Sequence, residues 1–451
     1  MPVMQEDQAS SRVADHAEML ALSLPSFVFS GYELARKTYL PVLLVGAAGL
    51  NVAKAGLILT IVGGWGIVVE VLFGMVCDLA PDPHRRRSFW VMTGMALQGV
   101  GGLILWLMPQ NRTVLGWLLG LLPWASGWVL SNLAHGAWAL ERSSGVPARG
   151  RIFGARAQAG MAGSILFAAA LLWSRHDHHG MDDFHVLLWL TLAGSPLVHG
   201  WLIWRVKERP TMVPSRPDWG SALKPFRVLM ASAADCWLAA LFLLVGAHMA
   251  VIGSSFLFIA RQRLDLAEWG TPGILAQALA AMIGTGIAPG LLRAVAPLRM
   301  LIVVFVLNLG LALVLPWLPP GQILPLILWS CGTGATMAVD FMLLRVLLGQ
   351  RLDRDRQRGG DAPAAAFYAG FHLPFNLGAM IGTALLFHAM AAMGDRGLGF
   401  AWLTGALAAV ILVAAIGCTF LLRRALCVET SEATPSIELN TRILKKVKSV
   451  F

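Results

Sequence analysis

Charge is what this sequence has little of. Only 13% of its 451 residues are Asp, Glu, Lys or Arg, against roughly 25% in an ordinary soluble domain, and this shortage excludes a soluble enzyme and a disordered chain alike. Tyrosine is scarce, 3 residues beside 17 Trp and 20 Phe. The cysteines, Cys77, Cys236, Cys331, Cys418 and Cys427, are scattered singly without a CxxC. They read as small buried hydrophobes, with neither a disulfide framework nor a Cys-ligated metal. No Walker A pattern occurs, which argues against an ATP-driven pump, and HExxH and GxSxG are missing too. No cofactor is expected. What abounds is apolar: 57% of the chain, with a mean hydropathy of +0.67. This is the composition of a polytopic membrane protein.

A spanning helix needs about 20 mostly apolar residues. Twelve stretches qualify, near 23–48, 53–78, 88–108, 114–139, 152–174, 184–205, 226–259, 267–291, 297–318, 322–347, 364–391 and 398–422. The longest polar connection, KERPTMVPSRPDWGSALKPF, falls between the sixth and the seventh. The expected fold is therefore all-α, twelve transmembrane helices in two six-helix bundles over 23–205 and 226–423, joined by a linker at 206–225. A short tail, 1–22, precedes them; its residues 1–18 are polar and partly acidic, unlike a cleavable signal peptide. The tail that follows, 424–451, repeats Ile437, Leu439, Ile443, Leu444 and Val447 at helical spacing among basic residues, the pattern of an amphipathic helix lying on the inner leaflet.

The net charge of +10 is an address rather than a sign of nucleic acid, which is not an expected partner. With the N-terminus inside, the even-numbered loops and both tails hold most of the Lys and Arg, while the outer loops hold Arg112, Arg175, Arg261, Arg263 and Arg396. Both termini are thus expected in the cytoplasm of a plasma (inner) membrane.

After the second span comes Gly74-x-x-x-Asp78 and then Arg85-Arg86-Arg87; after the eighth, Gly290 is followed by Arg293 and Arg299. Glycine allows close helix approach, and an acid at a helix C-terminus needs a basic partner. This arrangement, as a cytoplasmic gating motif of Gly74, Asp78, Arg85 and Arg86, resembles the loop 2–3 signature of the major facilitator superfamily. A narrower likeness runs from Tyr39 and Gly49-Leu50-Asn51 through Trp65-Gly66, Glu70-Val71, Gly74 and Asp78 to Trp90 and Gly94, and returns at Gln350, Asp353 and Phe367-Tyr368-Ala369. These positions resemble the glycoside–pentoside–hexuronide:cation symporters, the group of melibiose permease. The resemblance implies a secondary transporter with a central cavity faced by the first, fourth, fifth, seventh, tenth and eleventh helices. It departs at the sodium site. Sodium-coupled members carry Trp-Asp-x-x-x-Asp-Pro in the second helix, where this chain has Gly66, Glu70 and Val71, and their eleventh-helix lysine falls at Asn376. One carboxylate makes a poor sodium site and an adequate proton site, so H⁺ is the expected coupling ion, with uniport open.

Ionisable residues inside spans cost roughly 2.5–3.5 kcal/mol on insertion scales and are functional candidates by default. Glu70 is the leading one, for proton coupling; the plainer alternative is an ion pair locking two helices. Glu33, Arg36 and Lys37 share one helical face and suit either local neutralisation or hydrogen bonding to a sugar or an anion. Further cavity candidates are Tyr39, Trp128, His135, Arg156, Asp235, His372 and Asn376, each able instead to serve as a helix–helix contact. Arg156 stands out because a guanidinium cannot shed its proton. Asn132, Gln158, His248, Asp340 and Arg345 are also polar groups within spans, and Trp124 and Trp138 are further aromatic candidates.

The His/Asp run of residues 175–185 invites a metal reading, and His178 with Asp183 has an acyltransferase-like spacing; a solvated loop explains both. The expected protein is not an enzyme. It is a monomeric secondary transporter of a sugar or sugar-like solute, working among membrane lipids by alternating access with protons. Export or flipping of a lipid or drug-like amphiphile is the alternative, and a multispan lipid-modifying enzyme a remote one.

Overall fold

The computed structural model describes residues 16–46, 48–77, 85–108, 113–142, 146–173, 180–208, 232–357, 364–393 and 397–448, and among these there is no strand. The first helix, α1, is built from consecutive pieces, His16–Ser23, Pro25–Leu34, a π-helical turn at Ala35–Tyr39, and Leu40–Val45. There follow α2 (Val52–Val76), α3 (Arg86–Leu107), α4 (Val114–Arg142), α5 (Val146–Trp173), α6 (Gly180–Arg205) and α7 (Ala233–Phe258), the last continued by a π turn at Ile259–Arg263. The remaining helices are α8 (Gly270–Leu291), α9 (Pro297–Val314), α10 (Ile323–Gln357), α11 (Ala364–Met393) and α12 (Gly397–Lys448). The expected twelve helices are present.

Eleven of the described helices are long and apolar enough to cross a membrane. The first is not among them because its pieces are short. Pro25 and Pro41, which cannot donate a backbone hydrogen bond, open two of those pieces. Other boundaries also moved. The first helix begins at His16, inside the expected tail, and the seventh begins at Ala233 after its cap Ser232, whose Oγ accepts from the Asp235 N–H (3.2 Å). The tenth runs past its expected end to Gln357, and the twelfth continues unbroken to Lys448, taking in much of the expected C-terminal tail. Most of the expected linker lies outside the described residues.

Large apolar side chains such as Leu107, Trp204 and Val410 point outward, between 68% and 79% exposed. In water such a surface would aggregate; against lipid it is solvated, and the chain is an integral multi-pass membrane protein.

The two halves pack alike. In the first, α1 lies on α5 and α6 while α4 takes α2 and α3; in the second, α7 lies on α11 and α12 while α10 takes α8 and α9. The likeness reaches single hydrogen bonds. Beyond α1, Ala48 and Leu50 donate to the carbonyls of Leu43 and Leu44 (2.9 and 3.0 Å); beyond α7, Leu264 and Leu266 donate to Ile259 and Ala260 (3.0 and 2.8 Å). The residue between each pair of donors has a positive φ, Gly49 at 63° and Asp265 at 54°. These two reversals lie 216 residues apart (49 to 265), and the same interval carries Phe27 of α1 onto Leu243 of α7. A methyl group on Gly163 of α5 would overlap the Phe27 carbonyl, and one on Gly378 of α11 the Leu243 carbonyl. In a bilayer, where apolar faces gain little by leaving lipid, such close backbone approach at small residues is the main source of helix adhesion.

Replacing Gly378 or Gly163 by Val is therefore expected to lower the melting temperature of the detergent-purified protein by several degrees or abolish folding, consistent with overpacking costs of about 1–3 kcal/mol. Gly417→Ala, where an added Cβ meets nothing within 4 Å, is expected to leave it unchanged. Thermal unfolding followed by size-exclusion chromatography reads both.

Candidate substrate cavity and coupling site

Between the halves lies a cavity of about 60 Å³. Its walls come from α1 (Tyr32, Arg36, Lys37), α2 (Leu59, Val62, Gly63, Gly66), α4 (Ala125, Trp128, Val129), α7 (Ala250, Ser254) and α11 (Asn376, Ala379, Met380, Thr383). The volume is room for a few waters, well short of the ~300–1,000 Å³ of typical small-molecule pockets.

On α1 the π turn gathers the charges. Arg36 Nη2 donates to Glu33 Oε1 (3.2 Å), and Lys37 Nζ pairs with Glu33 Oε2. Two cations thus share one carboxylate, and both line the cavity while Glu33 stands behind them. Lys37 Nζ also lies over the Phe375 ring of α11 at 5.5 Å, and Arg36 over Tyr32 at 5.9 Å. The same turn meets the other half. Pro41 has no N–H to give to the carbonyl of Lys37 four residues earlier, and that carbonyl accepts instead from Ser254 Oγ of α7 (3.3 Å). Beside the cations, Tyr32 stacks on Trp128 with centroids 4.9 Å apart and planes 16° from parallel, while Trp124 meets Tyr32 edge-on at 4.5 Å. Trp128 therefore forms part of the wall; Trp124 and Trp138 are buried in the core.

Below the cavity, α2 and α11 are joined by Glu70. Glu70 is 3% exposed, and its carboxylate meets Asn376 Nδ2 at 2.5 Å and His372 Nδ1 at 2.8 Å. Sequence reasoning named all three residues separately; only the packing of α2 on α11 brings them together. On the other side of the cavity, Tyr39 Oη and Thr271 Oγ1 of α8 are hydrogen-bonded at 3.0 Å. Cross-half contacts therefore flank the cavity at both ends.

Other candidates fall elsewhere. His135 and Arg156 do not line the described cavity. Arg156 donates through Nη2 to His135 Nδ1 (3.1 Å) and through Nε to Ser26 Oγ (3.4 Å). Because a guanidinium only donates, His135 Nδ1 accepts and its Nε2–H goes to the Leu22 carbonyl (2.7 Å); this network ties α1, α4 and α5 together. Asp235 sits in the first turn of α7 rather than on the wall. There it receives Arg351 of α10 twice, at 2.6 and 2.9 Å, and Arg351 also reaches Glu429 of α12 at 2.5 and 3.0 Å. The first half has the corresponding pair at the corresponding place, Arg142 of α4 with Glu18 of α1.

Of the gating motif, Gly74 is half-buried on α2, Arg85 is exposed and Arg86 buried, while Asp78 lies outside the described residues, as does His178. Arg87, the last of that basic run, donates to the Cys77 carbonyl (3.0 Å). The Glu208 carboxylate accepts from the N–H groups of Arg87 and Ser88 (both 2.7 Å), closing the positive N-terminal end of α3. Glu18, Glu208 and Glu429 were missed; the available signal was an acid within a few turns of a span end. Ser254 and Tyr32 left no signal. Cys236 and Cys427 are exposed, against expectation, while Cys77 is buried. Among the described residues no group of His, Cys, Asp and Glu could hold a metal ion.

Comparison with solved structures finds the same architecture. A point mutant of the nucleoside transporter NupG superposes with a TM-score of 0.68 at 14% identity over 89% of this chain and 99% of that one. The fucose:proton symporter of E. coli, FucP, also as a point mutant, gives 0.62 at 17% identity over 90% and 99%. A bacterial homologue of the human drug peptide transporters PepT1 and PepT2 gives 0.65 at 12% identity over 92% and 99%. No curated protein matches at a significant level. The family model described as MFS/sugar transport protein matches residues 22–426, through both halves and every helix that lines the cavity, and the chain belongs to that family of non-enzymatic membrane transporters.

Proposed function

We propose that this secondary transporter carries a sugar or sugar-like solute by alternating access and couples that movement to protons through Glu70. One observation carries the coupling: Glu70 of α2 bonds to His372 and Asn376 of α11, and Asn376 is also cavity wall. A single set of hydrogen bonds thus joins the halves, holds the carboxylate and reaches the cavity wall. Parting α2 from α11 removes both partners. The carboxylate keeps these two donors only while α2 and α11 are joined, so its charge and the separation of the halves are linked.

The basic even loops support a topology with both termini in the cytoplasm. Glu70, His372 and Asn376 then form the cytoplasmic floor of the cavity, and Tyr39–Thr271 its outer roof. The cavity's small volume means the halves separate to admit a solute. The flat Tyr32–Trp128 wall offers a stacking face for a ring, and Arg36, Lys37, Ser254, Asn376 and Thr383 offer hydrogen bonds to its substituents. Membership of a family described as sugar transport supports this reading, and structural neighbours that carry nucleosides and fucose are compatible with it. A second reading, an amphiphile transporter, draws on the apolar arc of Leu59, Val62, Val129 and Met380.

A thermal-shift screen with sugars, sugar acids, nucleosides and lysolipids decides between them, since bound solute stabilises the fold; stabilisation by lysolipid alone would favour the second. For the solute so identified, Glu70→Gln is expected to lower accumulation under an inward pH gradient about tenfold while equilibrium exchange stays within about threefold. Full accumulation by that variant would remove Glu70 as the coupling group. Trp128→Ala is expected to weaken solute affinity about five- to tenfold, matching the ~0.5–1.5 kcal/mol of an aromatic stack, measured by titration calorimetry.

A further inference from the structure

Four arginines at one end of the second half play no part in the scheme above. Arg293 lies in the turn between α8 and α9, Arg299 in the first turn of α9, and Arg423 and Arg424 near the end of the apolar stretch of α12. All four are exposed, and among the described residues none meets a carboxylate. Elsewhere at this end of the molecule, Arg87 is buried on the Cys77 carbonyl, Arg142 holds Glu18, and Arg351 holds Asp235 and Glu429. The four come together because α9 and α12 run antiparallel. Trp317 meets Trp402 with centroids 5.1 Å apart, and a methyl group on Gly405 would overlap the Ala312 carbonyl. Eighteen residues on from Gly405 is Arg423, and eighteen back from Ala312 is Ala294. The α12 arginines therefore stand at the depth of the turn that carries Arg293 and leads to Arg299. Each helix enters this corner with an apolar face turned outward. On α9, the exposed Val303 and Val306 follow Arg299 at helical spacing; on α12, the exposed Phe420 lies one turn before Arg424; on α8, the exposed Ile287 and Leu291 end just before Arg293.

Setting a topology requires basic residues only somewhere along a loop. Here two distant segments bring four to one depth at the membrane boundary and pair none of them with an acid. An arginine that continues a lipid-facing stripe lies where lipid headgroups lie, its stem on apolar surface and its guanidinium level with the phosphates. That planar fork matches two phosphate oxygens at once. We propose that this corner of α8, α9 and α12 is a binding site for an anionic phospholipid. Arg293, Arg299, Arg423 and Arg424 hold its phosphate, and its acyl chains lie along Leu291, Val303 and Phe420. In the topology proposed above the site faces the inner leaflet, where anionic lipids collect. A lipid so held fastens the α8–α9 turn to α12, and its binding stabilises the fold. The site is separate from the solute cavity and stands whatever the solute and the coupling ion prove to be.

Native mass spectrometry of the full chain, released from detergent, counts bound cardiolipin against dioleoylphosphatidylcholine offered at equal concentration. Cardiolipin is expected to occupy the protein at least about tenfold more. Replacing Arg293 and Arg299 together by Gln, or Arg423 and Arg424 together by Gln, is expected to lower that occupancy about tenfold in each case. Cardiolipin is also expected to raise the melting temperature of the unchanged chain by several degrees, a rise that both double variants lose while melting as before without lipid. Lys54→Gln with Arg261→Gln removes the same charge from exposed positions at the opposite end of the molecule, and is expected to leave cardiolipin binding intact. Equal occupancy by the two lipids, undiminished cardiolipin binding by either double variant, or an equal loss in the Lys54/Arg261 control overturns the proposal. Glycerol 3-phosphate, which has a phosphate and no chains, is expected not to stabilise the protein at the concentration where cardiolipin does. Equal stabilisation by it assigns the arginines to a soluble phosphate and also overturns the proposal.

Discussion

A polar group taken out of water must find a partner, and in this molecule almost every functional feature follows from how that demand is met. Glu33 is held by Arg36 and Lys37. Glu70 finds His372 and Asn376, and the Lys37 carbonyl, facing the imino nitrogen of Pro41, finds Ser254. The partners of Glu70 and of the Lys37 carbonyl belong to the opposite half of the molecule. Satisfying a local electrostatic need thereby becomes a contact between the two halves.

The halves themselves are near copies. Their helix pairings repeat six helices on, and a hydrogen-bonded reversal recurs after 216 residues, from Gly49 to Asp265. Each half also clamps the end of its fourth helix to the start of its first, Arg142 to Glu18 and Arg351 to Asp235. The function lies in the asymmetry laid over this repeat. The first half contributes the cations and the Tyr32–Trp128 stack; the second contributes the amide and imidazole that hold Glu70. A cavity between similar halves with dissimilar linings fits a carrier that binds one oriented solute and rocks about it.

Much of this was legible in the residues. Twelve apolar stretches, the two-half layout and the presence of a carboxylate, Glu70, within a span follow from the order of residues and from the cost of charge in lipid, which does not depend on tertiary detail. Boundaries were less legible: α10 runs beyond the apolar stretch to Gln357 and α12 beyond it to Lys448, because helical hydrogen bonding continues after hydrophobicity ends. Asp235 and Arg156 illustrate the opposite failure. Each looked like a cavity group because polar residues in spans are rare, yet ion pairing and hydrogen bonding within a half account for where the structure puts them. Glu208, which closes the end of α3, is an ordinary loop acid until the fold brings it there.

The sequence by itself determined that the chain lives in lipid, how often it crosses, and which few ionisable side chains it keeps there, since each of these is a sum of local transfer costs. Only the tertiary structure decided which of those side chains meet. Glu70 and His372 stand 302 positions apart in the chain and 2.8 Å apart in space, and no periodicity encodes that meeting. It arises where α2 of one half lies against α11 of the other, with Gly56 facing Phe387 and Gly63 facing Met380. The scarcity of charge was the sequence's clearest feature; where the remaining charges converge was the fold's to settle.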